Sequence, residues 1–413
     1  MRLLFLTPQL PYPPDKGTRI RNFGLIKELS RRHEIGVLSF AESGDAEAAA
    51  ELGRWCRVLG LFEAPRRGHA ERAWRTFLDP IPDLARRLAS APFEERLREL
   101  LAGDRWDVLQ VEALEMAPHW LAQRGYGPPA VLDAHNAEWI LQWRAAAIDL
   151  RAGRPLGALY SVVQAAKLWR YEGSAVRQAA AVVAVSEPDL RSIRRVGRPR
   201  LDAIAPNGVD TDALPFREVE PPGEMLIFTG TMDFRPNVDA VRWFAARVWP
   251  RVRAERPSAR FRIVGRAPTP AVRALGGHSG VEVTGAVDDA APHFRDAAVY
   301  VAPLRIGGGV RLKLLEAFAH GVPVVSTRLG AEGIEAEPDR HLVLADEPEA
   351  MAQAIVALLA DRDRRHQLAA AARQLVVERY DWRVIAPTLD RVYEQVARSG
   401  PGRGAERGAF ARL

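Results

Sequence analysis

Cysteine is almost missing from this chain. Cys56 is the only one in 413 residues, so no intrachain disulfide can form, which suits a reducing, cytoplasmic compartment. Lysine is nearly as scarce: Lys16, Lys27, Lys167 and Lys313 are the four among 58 basic residues. A net charge of +6 and a pI of about 9.7 would ordinarily invite nucleic acid or an anionic membrane as partner. So strong an arginine bias in an alanine-rich chain reads as composition, however, and the basic residues are dispersed with no recognition motif, which excludes a nucleic-acid binder. No apolar run approaches the roughly 18 residues of a membrane span. The opening MRLLFLTPQLPYPP has an apolar run cut short by prolines, so it reads as a first strand and not as a signal peptide. Zinc-like Cys/His spacing is lacking, and so are internal repeats. The loop after the first strand, TPQLPYPPDKG, lacks G-x-G-x-x-G, which removes the main support for a dehydrogenase.

What is present is a long alternation. With 47% hydrophobic residues and a mean hydropathy of −0.16, the chain reads as globular, and its length favours two or three domains. Strand-like runs at 2–7, 35–40, 58–62, 108–111, 130–133 and 181–185 are separated by helical stretches. A second series follows at 225–229, 261–264, 281–284, 299–303, 322–327 and 342–344. Such alternation predicts parallel sheets covered on both faces, here two doubly wound, Rossmann-like units whose strand ends face each other across a cleft. Proline-rich 214–223 is the linker, giving domains 1–215 (completed by a last helix over 383–398) and 216–382. The Gly- and Arg-rich tail, 399–413, is expected to be disordered.

The organising stretch is Pro303 to Thr327, PLRIGGGVRLKLLEAFAHGVPVVST. Gly307, Gly308 and Gly309 precede a predicted helix of about three turns that stops at Gly321. Glycines there leave the first helical N–H groups free, and the helix dipole favours an anion such as a phosphate. Arg311 and Lys313 add charge in the first turn. Glu316 and His320 follow at helical spacing on the same edge, and a carboxylate one turn past an anion site can accept hydrogen bonds from a ribose. An ordinary βαβ unit with a solvated charged helix face is the plain alternative.

Three other segments carry weight. Strand 130–133 ends in Ala134-His135-Asn136, which places His135 at the carboxyl end of a parallel strand, where ligands bind, although a structural histidine is the alternative. Asp210-Thr211-Asp212 looks like a metal-binding D-x-D but follows a turn, and it reads as surface. Residues 66–105 interleave arginines with Trp74, Phe77, Leu84, Leu88, Phe93, Leu97 and Leu101. They could touch anionic lipid or form helices packed on the domain with a basic outer face.

Taken in order, the glycine-bearing loop at Gly17, VLDAHN, AVVAVSE, APNGVD, IFTGTM, FRIVGRAP and VTGAVDD, with the opening stretch above, make nearly the whole chain resemble retaining GT-B glycosyltransferases of family four (glycosyl transferases group 1). It most resembles the exosortase/PEP-CTERM-associated exopolysaccharide subgroup. The resemblance implies a metal-independent hexosyltransferase of the cytoplasm or the inner face of its membrane, with no cofactor beyond its donor. The donor is a nucleotide-diphosphate sugar, and the acceptor a glycan or polyprenyl-lipid-linked sugar. It implies that Glu316 holds ribose hydroxyls, that His135 borders the transferred sugar, that Gly17 lies near the distal phosphate, and that Gly265, Arg266 and Val287 surround the base. Two departures stand out. The first glutamate of the family's E-x7-E motif is replaced by Gly308, and GTMDFRPN puts Thr231 where the family has a phosphate-binding arginine, leaving Arg235, Arg311 and Lys313 to supply the charge. A UDP-sugar 2-epimerase of the same architecture and a degenerate, non-catalytic sugar-nucleotide binder are the other readings.

Overall fold

Parallel strands buried on both faces must be apolar throughout, and the first strand, β1 (Arg2–Thr7, RLLFLT), is buried from Leu3 to Thr7. The structure is a computed structural model that describes residues 1–42, 45–65, 68, 79–123, 125, 127–151, 153–217, 219–306 and 312–399. It divides into two units, 1–184 with 189–205 and 386–413, and 185–188 with 206–385.

The first unit is built on seven strands: β1, β2 (Glu34–Ala41), β3 (Arg57–Glu63), β4 (Val108–Glu112), β5 (Ala130–Ala134), β6 (Ala181–Ala184) and β7 (Asp202–Ile204). Their spatial order is β3-β2-β1-β4-β5-β6-β7, and every recorded pairing is parallel. The order reverses between β1 and β4, so the ligand-binding crevice of such a sheet lies beyond Thr7 and Glu112. Helix α1 (Gly17–Leu29) returns from β1. Helices α2 (Glu138–Arg151) and α3 (Pro155–Gln178) separate β5 from β6.

The second unit has six strands, β8 (Met225–Thr229), β9 (Arg260–Val264), β10 (Val281–Gly285), β11 (Val299–Ala302), β12 (Val324–Ser326) and β13 (Val343–Leu344). They lie in the order β10-β9-β8-β11-β12-β13, again parallel, with the reversal between β8 and β11. Helix α4 (Arg235–Trp243) follows β8 and α5 (Leu312–Ala319) precedes β12. Leu226, Phe228, Phe261 and Val299 line one core beneath the sheet, and Ile227, Tyr300, Leu315 and Val324 line the other. The last helix, α6 (Trp382–Ser399), begins in this unit and continues in the first.

Several expectations change. The break between units falls at 205/206 and not at 215/216. Val209 N–H donates to the Tyr380 carbonyl (2.8 Å) and Thr211 N–H to Asp381 (3.2 Å), which ties this segment to the second unit. Asp210-Thr211-Asp212 is therefore a structural joint and not plain surface: Thr211 is buried against Asp381, and Asp212 pairs with Arg383 at 2.8 Å. Residues 202–204, not among the expected strands, form the edge strand β7. Helix Ala91–Gly103 turns Phe93 and Leu97 into the core, with Phe93 stacked on Phe40 at 4.7 Å, so its apolar face meets the domain and not lipid. Trp74 and Phe77 lie outside the described residues, as does the tail beyond Ser399.

Two glycines set how closely strand ends approach. Gly230, after β8, has φ +153° and Gly265, after β9, has φ +155°. A Cβ on Gly265 would lie 1.7 Å from the Gly230 carbonyl oxygen. Gly265→Ala should therefore destabilise the fold by about 3 kcal/mol or more in urea melts, whereas Gly277→Ala, with open space around it, should not. A Gly265→Ala protein melting like the parent would show that these strand ends can part.

Candidate functional site

In the second unit the end of β8 is the focal point. Lys313, in the first turn of α5, donates from Nζ to the Thr229 carbonyl (3.0 Å) and to Asn237 Oδ1 (2.7 Å), and lies 4.4 Å from the Phe228 ring centroid. The ammonium is thus fixed at the carboxyl end of the switch-point strand by a strand, a helix and an aromatic face. A Cβ on Gly230 would come within 2.9 Å of Nζ, so glycine there leaves the lysine its place. Tyr300 Oη, 3.0 Å from Thr229 Oγ1, supports the strand end from below.

Glu316 sits one turn beyond Lys313. Burial pushes its carboxyl up to about 7, with Lys313 pulling the other way. The side chain is half-buried, and no hydrogen bond to its carboxyl is recorded among the described residues. His320 does not share this edge as a functional group. Its ring is buried, stacks on Phe294 at 4.7 Å, and places Nδ1 3.3 Å from the Pro215 carbonyl. The helix around it is not a solvated charged face. The described part of α5 is eight residues, shorter than the three turns expected. It stops as predicted: Gly321 has φ +72°, its N–H donates to Phe318, and Val322 N–H donates to Ala317.

Gly307, Gly308, Gly309 and Arg311 lie outside the described residues. Arg235 is exposed at the first position of α4. Gly265 is held in contact with Gly230, and the Arg266 carbonyl accepts from Met232 N–H at 2.8 Å. Val287 packs, half-buried, on the second core.

The first unit presents a different chemistry. His135 Nε2 is 2.9 Å from Glu112 Oε2, and the carboxylate is fully buried at the end of β4. Asp133, at the end of β5, is also buried and takes a bidentate pair from Arg21 of α1, at 2.8 Å and 3.1 Å. Burial, then the Asp133 charge, raises the Glu112 pKa, against His135 and Arg21. Ala113, which follows Glu112, has φ +66° and ψ 156°, a region costly for any residue with a side chain. Glu112, Asp133 and His135 offer ligand atoms within 4.8 Å of one another, a set that could hold a metal ion. Arg21 already engages Asp133. Gly17 opens α1, and its neighbour Lys16 pairs with Glu42 at 3.1 Å.

Sequence reasoning missed the carboxyl cluster behind His135. Glu172 accepts from the first N–H groups of α2, those of Glu138 and Trp139, both at 3.2 Å, and Asp189 accepts from Ala137 N–H at 3.4 Å. Burial raises Glu138 to about 7, with Glu115 adding to it, and burial raises Glu172 to about 8, with Glu138 adding to it. For Glu112 and Asp133 the available signal was an acid near the end of a buried strand, in VLQVE and AVLDA.

Comparison with known proteins follows the same division. Residues 17–213 match the family model described as Glycosyltransferase Family 4, and 223–361 that described as Glycosyl transferases group 1. The chain therefore carries GT-B glycosyltransferase domains of these two descriptions. A phosphatidyl-myo-inositol mannosyltransferase of Mycobacterium leprae is 40% identical over 144 residues, 33% of this chain and 38% of that protein. The match thus spans well under half of that relative. Among solved structures, sucrose-phosphate synthase from Thermosynechococcus elongatus superposes with a TM-score of 0.72 at 16% identity, over 97% of this chain and 100% of that one. HepE of Anabaena, in complex with UDP and glucose, gives 0.64 at 15% identity, over 97% and 99%. At such identities the likeness establishes the fold, which is GT-B.

The raised carboxyls predict a pH dependence. Glu172 keeps its proton in the folded state to about pH 8, against an ordinary 4.5. Its contribution is therefore complete below about pH 4.5 and is lost as pH rises through 8. Thermal melts should show stability falling from pH 5 to 9, by at most about 1.4 kcal/mol per pH unit per group. Glu172→Gln should flatten that decline, and an unchanged slope would show that Glu172 ionises without cost.

Proposed function

We propose that the chain is a metal-independent, retaining glycosyltransferase that moves a sugar from a nucleotide-diphosphate donor to a glycan or polyprenyl-lipid-linked acceptor in bacterial exopolysaccharide synthesis. One observation carries this reading. At the end of β8 a fixed ammonium stands one helical turn before a half-buried carboxyl, the order in which a diphosphate and its ribose would be met. The mannosyltransferase relative and the UDP-bound neighbour point to the same donor class.

Cleaving a sugar–phosphate bond leaves an oxocarbenium-like sugar and a diphosphate with one more unit of negative charge. Lys313, with Arg311 and the N–H groups after Gly307, Gly308 and Gly309, stabilises that charge as it develops, the largest electrostatic effect open to such a site. Glu316 accepts from the ribose hydroxyls, while Gly265, Arg266 and Val287 border the base and Arg235 adds charge beyond α4. In the first unit Glu112 fixes the ring of His135, which borders the transferred sugar, and Gly17 approaches the acceptor side. The leaving phosphate takes the acceptor proton, so no carboxylate pair is required for transfer with retention. Arg21, already paired with Asp133, supplies the positive charge that a metal would bring to that cluster.

The protonatable carboxyls near His135 favour one second reading, a UDP-sugar 2-epimerase, which needs acid and base groups. Incubation with donor alone separates the two, because an epimerase releases an altered sugar without acceptor.

Lys313→Ala should lower kcat/KM about 100-fold or more, the usual consequence of losing one transition-state donor. Glu316→Gln should act chiefly on donor binding, read by calorimetry with UDP-, GDP-, ADP- and dTDP-sugars. Near-parental turnover by Lys313→Ala, together with unchanged donor affinity in Glu316→Gln, would remove both residues from the site.

A further inference from the structure

Large apolar side chains exposed singly are ordinary on a protein surface. Here they are not scattered. Of the eleven exposed among the described residues, six fall between 143 and 169: Trp143, Leu150, Leu156, Leu159, Val162 and Trp169. All six belong to the α2–α3 hairpin. Its turn is locally specified: Gly153 has φ +69°, Gly153 N–H donates to Leu150 and Arg154 N–H to Asp149, and Pro155 starts the next helix. One face of α3 is already used, with Ala158, Ala165, Leu168 and Glu172 buried. Leu156, Leu159, Val162 and Trp169 recur at helical spacing along another face, a stripe of roughly 20 Å at 1.5 Å per residue. Trp143 and Leu150, seven residues apart, mark the matching face of α2. The hairpin is thus apolar on two sides, and only one is covered by its own domain.

Charge chooses the occupant. Between residues 139 and 171 the basic residues are Arg144, Arg151, Arg154, Lys167 and Arg170, and the single acid, Asp149, is buried. Arg154 lies 3.9 Å from Asp149, while Arg151 and Arg170 are exposed, so a second copy of this face would meet it with like charge, whereas an anionic lipid surface complements it. Tryptophan, apolar with a polar edge, is the side chain that settles at a bilayer interface. No helix among the described residues is long and apolar enough to cross a membrane, so such a hairpin would lie on a bilayer and not across it.

We propose that the α2–α3 hairpin is a docking surface for an anionic lipid bilayer, with its apolar stripe set among the acyl chains and its arginines at the headgroups. The surface stands apart from the helix Ala91–Gly103, whose apolar face is internal, and the proposal does not rest on the transfer reaction. The test is sedimentation of the full chain with vesicles of phosphatidylcholine alone and with about 30 mol % phosphatidylglycerol. Recovery with the anionic vesicles should be about tenfold higher, should fall with added salt, and should accompany a blue shift of tryptophan emission. Leu156→Asp with Leu159→Asp, and separately Arg151→Gln with Arg154→Gln and Arg170→Gln, should each abolish the gain. Val377→Asp, an exposed position elsewhere, should leave it intact. Melting curves confirm that each variant is folded. No gain with anionic vesicles, a gain that survives both sets of changes, or a dimer in light scattering that the leucine changes dissolve would each overturn the proposal, the last in favour of a second copy.

Discussion

The bond from the Lys313 ammonium to the Thr229 carbonyl fixes where positive charge lies in the second unit. A lysine on a solvated helix face samples many rotamers, but this one also reaches Asn237 and rests over Phe228. Charge-assisted bonds to such acceptors contribute about 1.5–3 kcal/mol, enough to hold a side chain that would otherwise be mobile. Everything nearby makes room for it. Gly230 lacks the side chain that would collide with Nζ and with Asn237, and Gly265 lacks the one that would push the β8 end away from β9. The two glycines and the lysine act together, since a Cβ on Gly230 would strike the ammonium and Asn237, and one on Gly265 would strike the Gly230 carbonyl, next along the chain from the carbonyl that holds the ammonium.

The two units use the ends of their sheets in opposite ways. In the first, N–H groups at the N-terminus of α2 are already engaged by carboxyl oxygens from within the fold, those of Glu172 and Asp189. A helix start whose Ala137, Glu138 and Trp139 N–H groups are so engaged offers few donors to an external anion. In the second, α5 is preceded in sequence by three glycines and brings its own lysine. This contrast favours the second unit as the anion-binding one in the proposed reading, and it leaves the first with a carboxyl cluster around His135. Arg21 makes that cluster tolerable: two buried acids, Glu112 and Asp133, would repel each other strongly without a guanidinium bonded to one of them.

Most of the fold was legible because parallel strands buried on both faces must be continuous apolar runs. The strands at β1, β4, β5, β8 and β11 could be read for that reason. Strand β7 could not: Asp202–Ile204 is three residues at a sheet edge, partly exposed and too short to make an apolar run. Periodicity assigned α5, and a glycine stop ended it, but spacing alone cannot tell a lysine pointing to solvent from one folded back on a strand end. His320 was misplaced for the same reason, because its burial depends on Phe294 and Pro215, which lie far away in the chain. The acid cluster escaped because Glu112, Glu138, Glu172 and Asp189 are distant in sequence and meet only once β4, β5 and the helices after them are assembled.

The carboxyl of Glu316 shows why the order of residues along α5 matters. Burial alone would keep it protonated well into the neutral range, and a neutral acid is a poor acceptor for a pair of ribose hydroxyls. A bound diphosphate would make matters worse, since another negative charge nearby favours the proton further. Lys313, one turn earlier on the same helix, acts in the other direction on both counts: it lowers the pKa of Glu316 directly and screens it from the anion it attracts. A lysine placed one turn before the glutamate, at the helix start and over the strand end, thus moderates without cancelling the rise that burial imposes on that carboxyl, and on the proposed reading the same ammonium would face the donor's phosphate.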